Sequence, residues 1–182
     1  IAKYDIAGNL IWVRSVGGVD AETGYGITSD NLGNVIATGQ FKGTATFGTT
    51  TLSSDINPLT GLPSFDIFTV KYDGSGNFLW VEQGRAKYDD RGLDVGVDLS
   101  NNIFVVGQFS DTIQFDAIHN NAVMNSGYLM KYDQSGNEQW FVKMSALQTI
   151  VYSVAVDQAN NVLITGDFKG TLGIFTTPMV YS

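Results

Sequence analysis

The stretch KYDIAGNLIW at residues 3–12 recurs as KYDGSGNFLW at 71–80 and as KYDQSGNEQW at 131–140. A second phrase alternates with it, as ITSDNLGNVIATGQF at 27–41, VGVDLSNNIFVVGQF at 95–109 and VAVDQANNVLITGDF at 154–168. A period of roughly 60 to 70 residues, filled with short apolar runs and tight turns, is typical of a stacked or radial array of small sheets. We therefore interpret the chain as three repeat units.

Both phrases contain the same turn: Asp, two free positions, Gly or Asn, and then Asn. The Asp residues are Asp5, Asp30, Asp73, Asp98, Asp133 and Asp157. The fourth positions are Gly8, Gly33, Gly76, Asn101, Gly136 and Asn160. Because Gly and, at a small cost, Asn adopt positive φ, the pattern predicts a left-handed residue there. The Asp side chain is expected to accept hydrogen bonds from amides two or three residues further on. These six loops, the Asp turns, are predicted to be folding devices.

The segments that flank the Asp turns are predicted to be β-strands. The strands that follow the turns of the second phrase are nearly continuous apolar runs, at 35–38, 103–106 and 162–165. A continuous run indicates a strand covered on both faces, whereas strict alternation would indicate one face in water. No segment shows the apolar spacing of a helix. The sequence therefore predicts an all-β fold of small sheets packed against one another.

The composition of the 182 residues limits the possible partners. The formal net charge is −8, with 10 Lys and Arg against 18 Asp and Glu. Nucleic acid is not expected as a partner, because phosphate backbones are bound through Lys and Arg. The chain has no Cys, which excludes disulfides and thiolate metal sites. No apolar stretch approaches about 18 residues, so membrane insertion is not expected either.

The loops at the other ends of the strands differ from unit to unit. They are the linkers SVGGVDAET at 15–23, GRAKYDDR at 84–91 and SALQTI at 145–150, and the longer loops at 42–64 and 110–126. In an up-and-down sheet these loops leave on the side opposite the Asp turns, and we call that side the varied face. The segments 44–47 and 112–115 share Thr, two residues and Phe, and are predicted to be short extra strands. Binding sites usually lie on varied loops held by a rigid scaffold, so the varied face is the expected binding surface.

The alternating phrases KYDxxGNxxW and VDxxNNVxxTGxF resemble the SBBP-type β-propeller repeat. The resemblance covers nearly the whole chain apart from the varied loops. This sequence departs from the usual pattern of the repeat in its third unit, where SALQTI at 145–150 replaces the Gly- and Asp-rich linker seen as GGVDAETG at 17–24. The resemblance implies a propeller of about seven blades in a secreted or cell-surface protein of bacteria, often Bacteroidota. It carries no catalytic residue over to this chain.

The expected architecture is a β-propeller with four-stranded antiparallel blades of about 60 residues, of which about three blades' worth are present. Within 1–182, the predicted division is an outer half-blade at 1–15, a blade at 24–83, a blade at 92–143, and an inner half-blade plus tail at 151–182. Three units do not close a ring of about 4 to 8 blades. The prediction is therefore a longer natural chain, with completion by two or more chains as the alternative.

The Asp turns resemble calcium loops in one respect. Asp73, Ser75 and Asn77 place oxygen atoms at alternating positions, as the ligands of such a loop do. Each turn, however, offers one carboxylate, where a calcium loop needs several. A structural Asx turn is therefore the favoured interpretation.

Two acidic pairs on the varied face are better candidates for a cation site: Asp89 with Asp90, and Asp20 with Glu22. Both precede a predicted inner strand. The third unit has no equivalent pair, and calcium takes about six to eight oxygen ligands. A solvated loop is favoured at both places, and no metal-binding residue is assigned.

The remaining candidates for chemistry are the aromatic, histidine and glutamate residues. The recurring Trp12, Trp80 and Trp140 are expected to pack between blades rather than to stack a cofactor or a glycan. His119 is the only histidine, and a surface residue without a role is favoured over a zinc or triad site. Glycoside hydrolysis needs only two carboxylates, but the spacing of Glu22, Glu82 and Glu138 does not predict that they meet.

These observations predict a non-catalytic scaffold or binding module of a secreted or surface-displayed bacterial protein, with a protein or glycan partner on the varied face and a place in a longer chain or larger assembly. No catalytic, cofactor-binding or metal-binding residue is assigned. Two alternatives stay open: a hydrolase or lyase that acts on polysaccharide in the central funnel, and a surface adhesin stabilised by calcium.

Overall fold

The computed structural model describes residues 1–115, 119–121 and 125–178, with 119–121 and 175–178 described by their backbone. Within these ranges the chain forms β-strands and no helix. The strands are β1 Ala2–Tyr4, β2 Leu10–Val13, β3 Gly17–Gly18, β4 Glu22–Ser29, β5 Val35–Lys42, β6 Thr44–Phe47, β7 Thr50–Ser53, β8 Phe65–Tyr72, β9 Phe78–Gly84, β10 Arg91–Val97, β11 Ile103–Phe109, β12 Thr112–Gln114, β13 His119–Asn121, β14 Ser126–Tyr132, β15 Glu138–Ser145, β16 Gln148–Val156, β17 Val162–Lys169 and β18 Gly173–Pro178. The all-β prediction is confirmed.

Two antiparallel sheets form the centre of the structure. Blade 1 has the strand order β4-β5-β8-β9, and blade 2 has the order β10-β11-β14-β15 with β18 added at its edge. In both blades a strand of the second phrase pairs with a KYD strand in one register, with Val35 opposite Tyr72 and Ile103 opposite Tyr132. Two-stranded sheets, β1-β2 and β16-β17, flank them in sequence. These antiparallel sheets are consistent with propeller blades.

The six Asp turns share one hydrogen-bonding pattern. In each, one carboxylate oxygen accepts from the backbone amides two and four residues on, and the other accepts from the side chain of the Asn four residues on. The fourth residue has positive φ in all six, from 62° at Asn160 to 92° at Gly136. The left-handed prediction is confirmed. The second amide is four residues on rather than three, and the sequence analysis missed the role of the Asn side chain.

The apolar strands β5 and β11 are buried along almost their whole length. Each is an interior strand of its sheet and packs against neighbouring sheets through both faces. This agrees with the continuous apolar runs at 35–38 and 103–106. The matching strand β17 is mostly exposed instead, because among the described residues it pairs with β16 alone.

The first strands of the sheets lie side by side. A Cβ at Gly26 in β4 would be 2.6 Å from the Cα of Asp94 in β10, so the two backbones nearly touch. The Oδ2 atom of Asp94 in turn accepts from the Ser153 hydroxyl at 2.6 Å and the Val154 amide at 3.0 Å, both in β16. Inner strands gathered in this way are consistent with blades of a propeller.

Tryptophan packs between successive sheets, as predicted. The Nε1 of Trp12 donates to the Gly74 carbonyl at 3.1 Å, and the Nε1 of Trp80 donates to the Gln134 carbonyl at 3.4 Å. A Cβ at Gly76 would be 2.8 Å from the Trp12 ring, and one at Gly136 would be 3.0 Å from the Trp80 ring. The KYD phrase therefore supplies both parts of the contact: the indole of one copy and the Gly in the Asp turn of the next KYD copy, Gly76 for Trp12 and Gly136 for Trp80.

Short strands join each unit to the sheet before it. The predicted extra strands are present as β6 and β12, although β12 ends at Gln114, before Phe115. β6 pairs with β3, which follows β2, and Gln114 forms a bridge with Arg85, which follows β9. Residues 173–178, which the sequence analysis treated as part of a tail, form β18 and pair with β15 at the outer edge of blade 2. These pairings could not be predicted from local sequence patterns, because they join segments far apart in the chain.

Candidate binding site on the varied face

Loops of the varied face meet around one cavity of about 840 Å³. Its lining residues are Asn57, Tyr88, Asp89, Arg91, Gln108, Ser110, Asp111, Asn125, Leu147 and Gln148. They come from the loop between β7 and β8, the linkers before β10 and β16, and the segments that follow β11 and precede β14, together with Arg91, Gln108 and Gln148 at the adjoining ends of β10, β11 and β16. None belongs to an Asp turn. The varied loops therefore converge on a shared concave surface, although no sequence motif joins them.

The cavity offers polar groups that the described part of the chain leaves unused. The side chains of Tyr88, Gln108 and Gln148 have no hydrogen-bond partner among the described residues. The Arg91 side chain is exposed, and no described carboxylate forms an ion pair with it. Amide, phenol and guanidinium groups together supply both donors and acceptors. Such a surface can bind hydroxyl or amide groups of a ligand.

The pair Asp89 and Asp90 does not act as one acidic site. Asp89 is exposed, and its Oδ1 accepts from the Phe65 amide at 3.1 Å. Asp90 is fully buried: its amide donates to the Phe65 carbonyl at 2.8 Å, and its Oδ1 accepts from the Ser110 amide at 2.8 Å. Burial raises the pKa of the Asp90 carboxyl well above its usual value, against the effect of the Ser110 hydrogen bond. The two side chains have different environments and cannot act as paired metal ligands.

A second buried carboxyl, Asp66, was missed by the sequence analysis. Its Oδ2 accepts from the Gln83 side chain at 2.8 Å and the Asp55 amide at 3.1 Å, while Oδ1 has no hydrogen-bond partner in the part of the chain that the structure describes. Burial raises the pKa of Asp66 to about 7, although the Gln83 hydrogen bond lowers it. A signal was available, because an Asp stands inside the apolar run FDIFTV at 65–70, where the second unit has Ser126.

Raised carboxyl pKa values are common at catalytic sites. A carboxyl can act in catalysis, however, only if a substrate can reach it. Asp66 and Asp90 are both 0% exposed. A general acid must come within hydrogen-bonding distance of its substrate. Both carboxyls are therefore best interpreted as parts of the frame that carries the varied loops.

The other candidate residues are dispersed. The Oε1 of Glu22 accepts from the Gly18 amide at 3.0 Å, and the carboxylate of Asp20 lies beside Gly43 in a different loop. Glu82 lies in β9 and Glu138 is buried in β15. No group of three or more His, Asp or Glu in the described ranges is arranged to hold a metal ion.

The two remaining candidates are the turn from Asp73, considered as a calcium loop, and His119. In the turn from Asp73, the carboxylate already accepts three N–H donors at 2.8 Å, which supports the structural interpretation over a calcium loop. The side chain of His119 lies outside the described residues, so its role stays a prediction.

Comparison with known proteins links this chain to a repeat-containing protein. No protein-family model matches, so the SBBP-type assignment has no support of that kind. The chain is 25% identical, over 189 aligned positions and 88% of its own length, to an uncharacterized WD repeat-containing protein of Acanthamoeba polyphaga mimivirus. It spans only 14% of the length of that protein, which is viral rather than bacterial. In the described ranges, no helix has the length and apolar character needed to cross a membrane. The fold and the similarity together support a β-propeller-like repeat protein.

Proposed function

We propose that this chain is a non-catalytic propeller scaffold that binds a protein or a glycan through the varied face. The observation that carries the proposal is the difference between the two ends of the sheets. At the Asp turns, the Asp and Asn side chains are hydrogen-bonded within each loop. Around the varied-face cavity, the side chains of Tyr88, Gln108 and Gln148 have no hydrogen-bond partner among the described residues. Their polar groups can therefore bind a ligand.

The similarity to a WD repeat-containing protein supports the scaffold part of the proposal, because WD repeats build propeller blades. The recurring KYDxxGNxxW phrase supports an SBBP-type repeat in a secreted or cell-surface bacterial protein. That location is tested by the open reading frame that contains this segment: a secretion signal would support it, and an intracellular targeting signal would contradict it.

The binding face is tested with two matched triple variants. One combines Tyr88→Ala, Gln108→Ala and Gln148→Ala in the cavity. The other combines Ser75→Ala, Gln134→Ala and Ser135→Ala, which are exposed on the Asp turns. Both sets remove polar surface side chains outside the core, so both proteins are expected to keep the wild-type circular dichroism spectrum.

Binding is measured on a glycan array and on an array of purified surface proteins. The cavity triple is expected to weaken binding at least about tenfold, since about 1.4 kcal/mol of lost contacts suffices for that change. The Asp-turn triple is expected to bind like wild type. Equal weakening in both variants, or none in either, would show that the ligand binds elsewhere.

A further inference from the structure

The loop between β7 and β8 forms a finger, residues 55–64, at the rim of the varied-face cavity. Its two sides are hydrogen-bonded to each other: the Ser64 amide donates to the Asp55 carbonyl at 2.8 Å, and the Asn57 amide donates to the Leu62 carbonyl at 2.9 Å. Asn57 lines the cavity. The finger is therefore a preformed unit whose position helps to set the shape of the cavity.

Apolar packing contributes little to the position of the finger. None of residues 55–63 is buried, and only Ser64 at its end is. The side chains of Leu59 and Leu62 are exposed. An element with few buried apolar contacts opens at a low cost in free energy. The finger can therefore move as a unit without disturbing the cores of the sheets.

A buried carboxyl holds the base of the finger. The Asp55 amide donates to the Oδ2 atom of Asp66 at 3.1 Å, and the Gln83 side chain donates to the same atom at 2.8 Å. Gln83 also donates to the Ser53 carbonyl at 2.9 Å, at the end of the strand that leads into the finger. Asp66 thus joins the base of the finger to β8 and β9.

A negative charge on Asp66 is poorly compensated in this position. Its Oδ1 atom has no hydrogen-bond partner among the described residues, whereas the carboxylate of Asp73 accepts three N–H donors. Burial raises the pKa of Asp66 to about 7, the Gln83 hydrogen bond lowers it, and the neighbouring Asp55 carboxylate raises it further. Asp66 therefore changes its charge near neutral pH.

The charged groups on the elements that pack against Asp66 are three acids and two cations: Asp55, Asp89, Asp90, Arg85 and Lys42. Besides burial, which is the main cause, the charge of Asp66 raises the pKa of Asp90. Burial also outweighs the effect of the Arg85 guanidinium on the pKa of Asp66. The Lys42 ammonium lies 5.5 Å from the centre of the Phe65 ring, and neither cation forms an ion pair with Asp66 in the described ranges. An ionised Asp66 is therefore stabilised by exposure to water.

We propose that Asp66 is a pH-sensitive switch that holds the finger in place while its side chain is neutral and releases the finger when its side chain is ionised. Release exposes the carboxylate to water and moves Asn57 away from the cavity. The switch thus regulates the varied-face cavity, and in that respect it rests on the proposed binding function.

The direction of the pH dependence follows from the two states of the carboxyl. Its pKa is about 7 with the finger closed and returns toward the ordinary 3.8 when water reaches it. The closed form therefore has its full stability below about pH 4 and loses it as the pH rises through about 7. Between pH 5 and pH 8, the equilibrium constant for opening should rise at least about tenfold.

Residue-resolved hydrogen exchange between pH 5 and pH 8 measures this opening, after correction for the intrinsic exchange rate at each pH. The protection factor of the Asp55 amide is expected to fall at least about tenfold. The Asn77 amide, which donates to the ionised Asp73 in an Asp turn, is the control and should change less than about twofold. The Val70 amide in β8 should stay better protected than that of Asp55 at every pH, because the finger opens without global unfolding.

Neutral variants identify the group that responds. Asp66→Asn keeps an oxygen that can accept from the Asp55 amide, and Asp66→Ser introduces the residue type that blade 2 has at this position, Ser126. In both variants the protection factor of the Asp55 amide should be independent of pH, whereas Asp89→Asn, which changes an exposed carboxyl, should behave like wild type. A protection factor that does not change in wild type, that changes equally in the neutral variants, or that equals that of Val70 would overturn the proposal.

Spin labels report on the rim of the cavity without any ligand. Because the chain has no Cys, Leu59→Cys on the exposed finger and Leu147→Cys in the cavity wall can be labelled specifically. One distance population is expected at pH 5 and a second one at pH 8, which Asp66→Asn should abolish. An identical distribution at both pH values would also overturn the switch. Failure of the cavity triple variant to weaken binding on the arrays would refute the proposed function and leave the switch standing.

Discussion

Replacing Gly76 by alanine separates two reasons for glycine in the Asp turns. Gly33 and Gly76 occupy the same position in the two Asp turns of blade 1, with φ of +79° and +82°. A Cβ at Gly33 would meet nothing within 4 Å, whereas one at Gly76 would lie 2.8 Å and 3.0 Å from two atoms of the Trp12 ring. The two alanine variants thus share the backbone cost and differ in the contact with tryptophan.

The magnitudes follow from these distances. An alanine in the left-handed region costs about 1 to 2 kcal/mol relative to glycine, which is the whole expected effect of Gly33→Ala. At Gly76 the new methyl group must move the indole by several tenths of an ångström, and the indole is held by its hydrogen bond to the Gly74 carbonyl. Overpacking of this kind costs about 1 to 3 kcal/mol more. Gly76→Ala should therefore lower the free energy of unfolding by about 2 to 5 kcal/mol.

Urea unfolding at one fixed protein concentration, followed by tryptophan fluorescence, measures both variants. Adding Trp12→Ala provides the coupling test, because removing the ring should bring the cost of Gly76→Ala down to that of Gly33→Ala. If the two glycine variants lose the same free energy within about 0.5 kcal/mol, close packing of tryptophan on the Asp turn does not contribute to stability and the reasoning is wrong.

Two further predictions concern buried charge. Burial raises the pKa of Asp66 from 3.8 to about 7. Its contribution to the free energy of unfolding is complete below the pKa of the unfolded chain and is lost as the pH rises from there through about 7. Asp66→Asn should therefore abolish about 2 to 3 kcal/mol of the decrease in unfolding free energy between pH 5 and pH 8, as measured by urea unfolding; an unchanged slope would contradict the burial argument, and Asp89→Asn is the exposed control. Lys71→Met leaves the buried Asp30 carboxylate without its cation 3.0 Å away and should cost about 3 kcal/mol in the same assay. Lys87→Met, which removes a 3.6 Å pair with Asp111 at the surface, should cost less than about 1 kcal/mol, and similar losses in the two variants would refute the distinction.

Local chemistry made much of the architecture predictable. A left-handed residue such as Gly76 or Asn101 and an Asp that closes its own loop act within five consecutive residues, so their structure could be predicted from the chain itself. Apolar runs such as 35–38 likewise report burial on both faces. The candidate site was predictable only as a face, because which loops converge on Gln108 and Gln148 depends on how successive sheets rotate and pack.

The tertiary structure places acidic residues that look alike in the sequence in different environments. Asp89 and Asp90 are neighbours, but one is exposed and the other is fully buried under Ser110. The pKa of Asp66 is raised because segments from elsewhere in the chain bury its carboxyl, although the hydrogen bond from Gln83 lowers that pKa. Desolvation depends on every element that covers a group, and no short-range pattern contains that information.

By itself, the sequence determined the repeat, the six Asp turns and the all-β character, since these depend on φ preferences and hydrogen bonds between near neighbours. Only the tertiary structure decided that β18 joins β15, that Trp12 rests on Gly76, and that two linkers and two longer loops border one cavity. These contacts join segments far apart in the chain, and their stability comes from burying surface and pairing strand edges once the sheets are assembled.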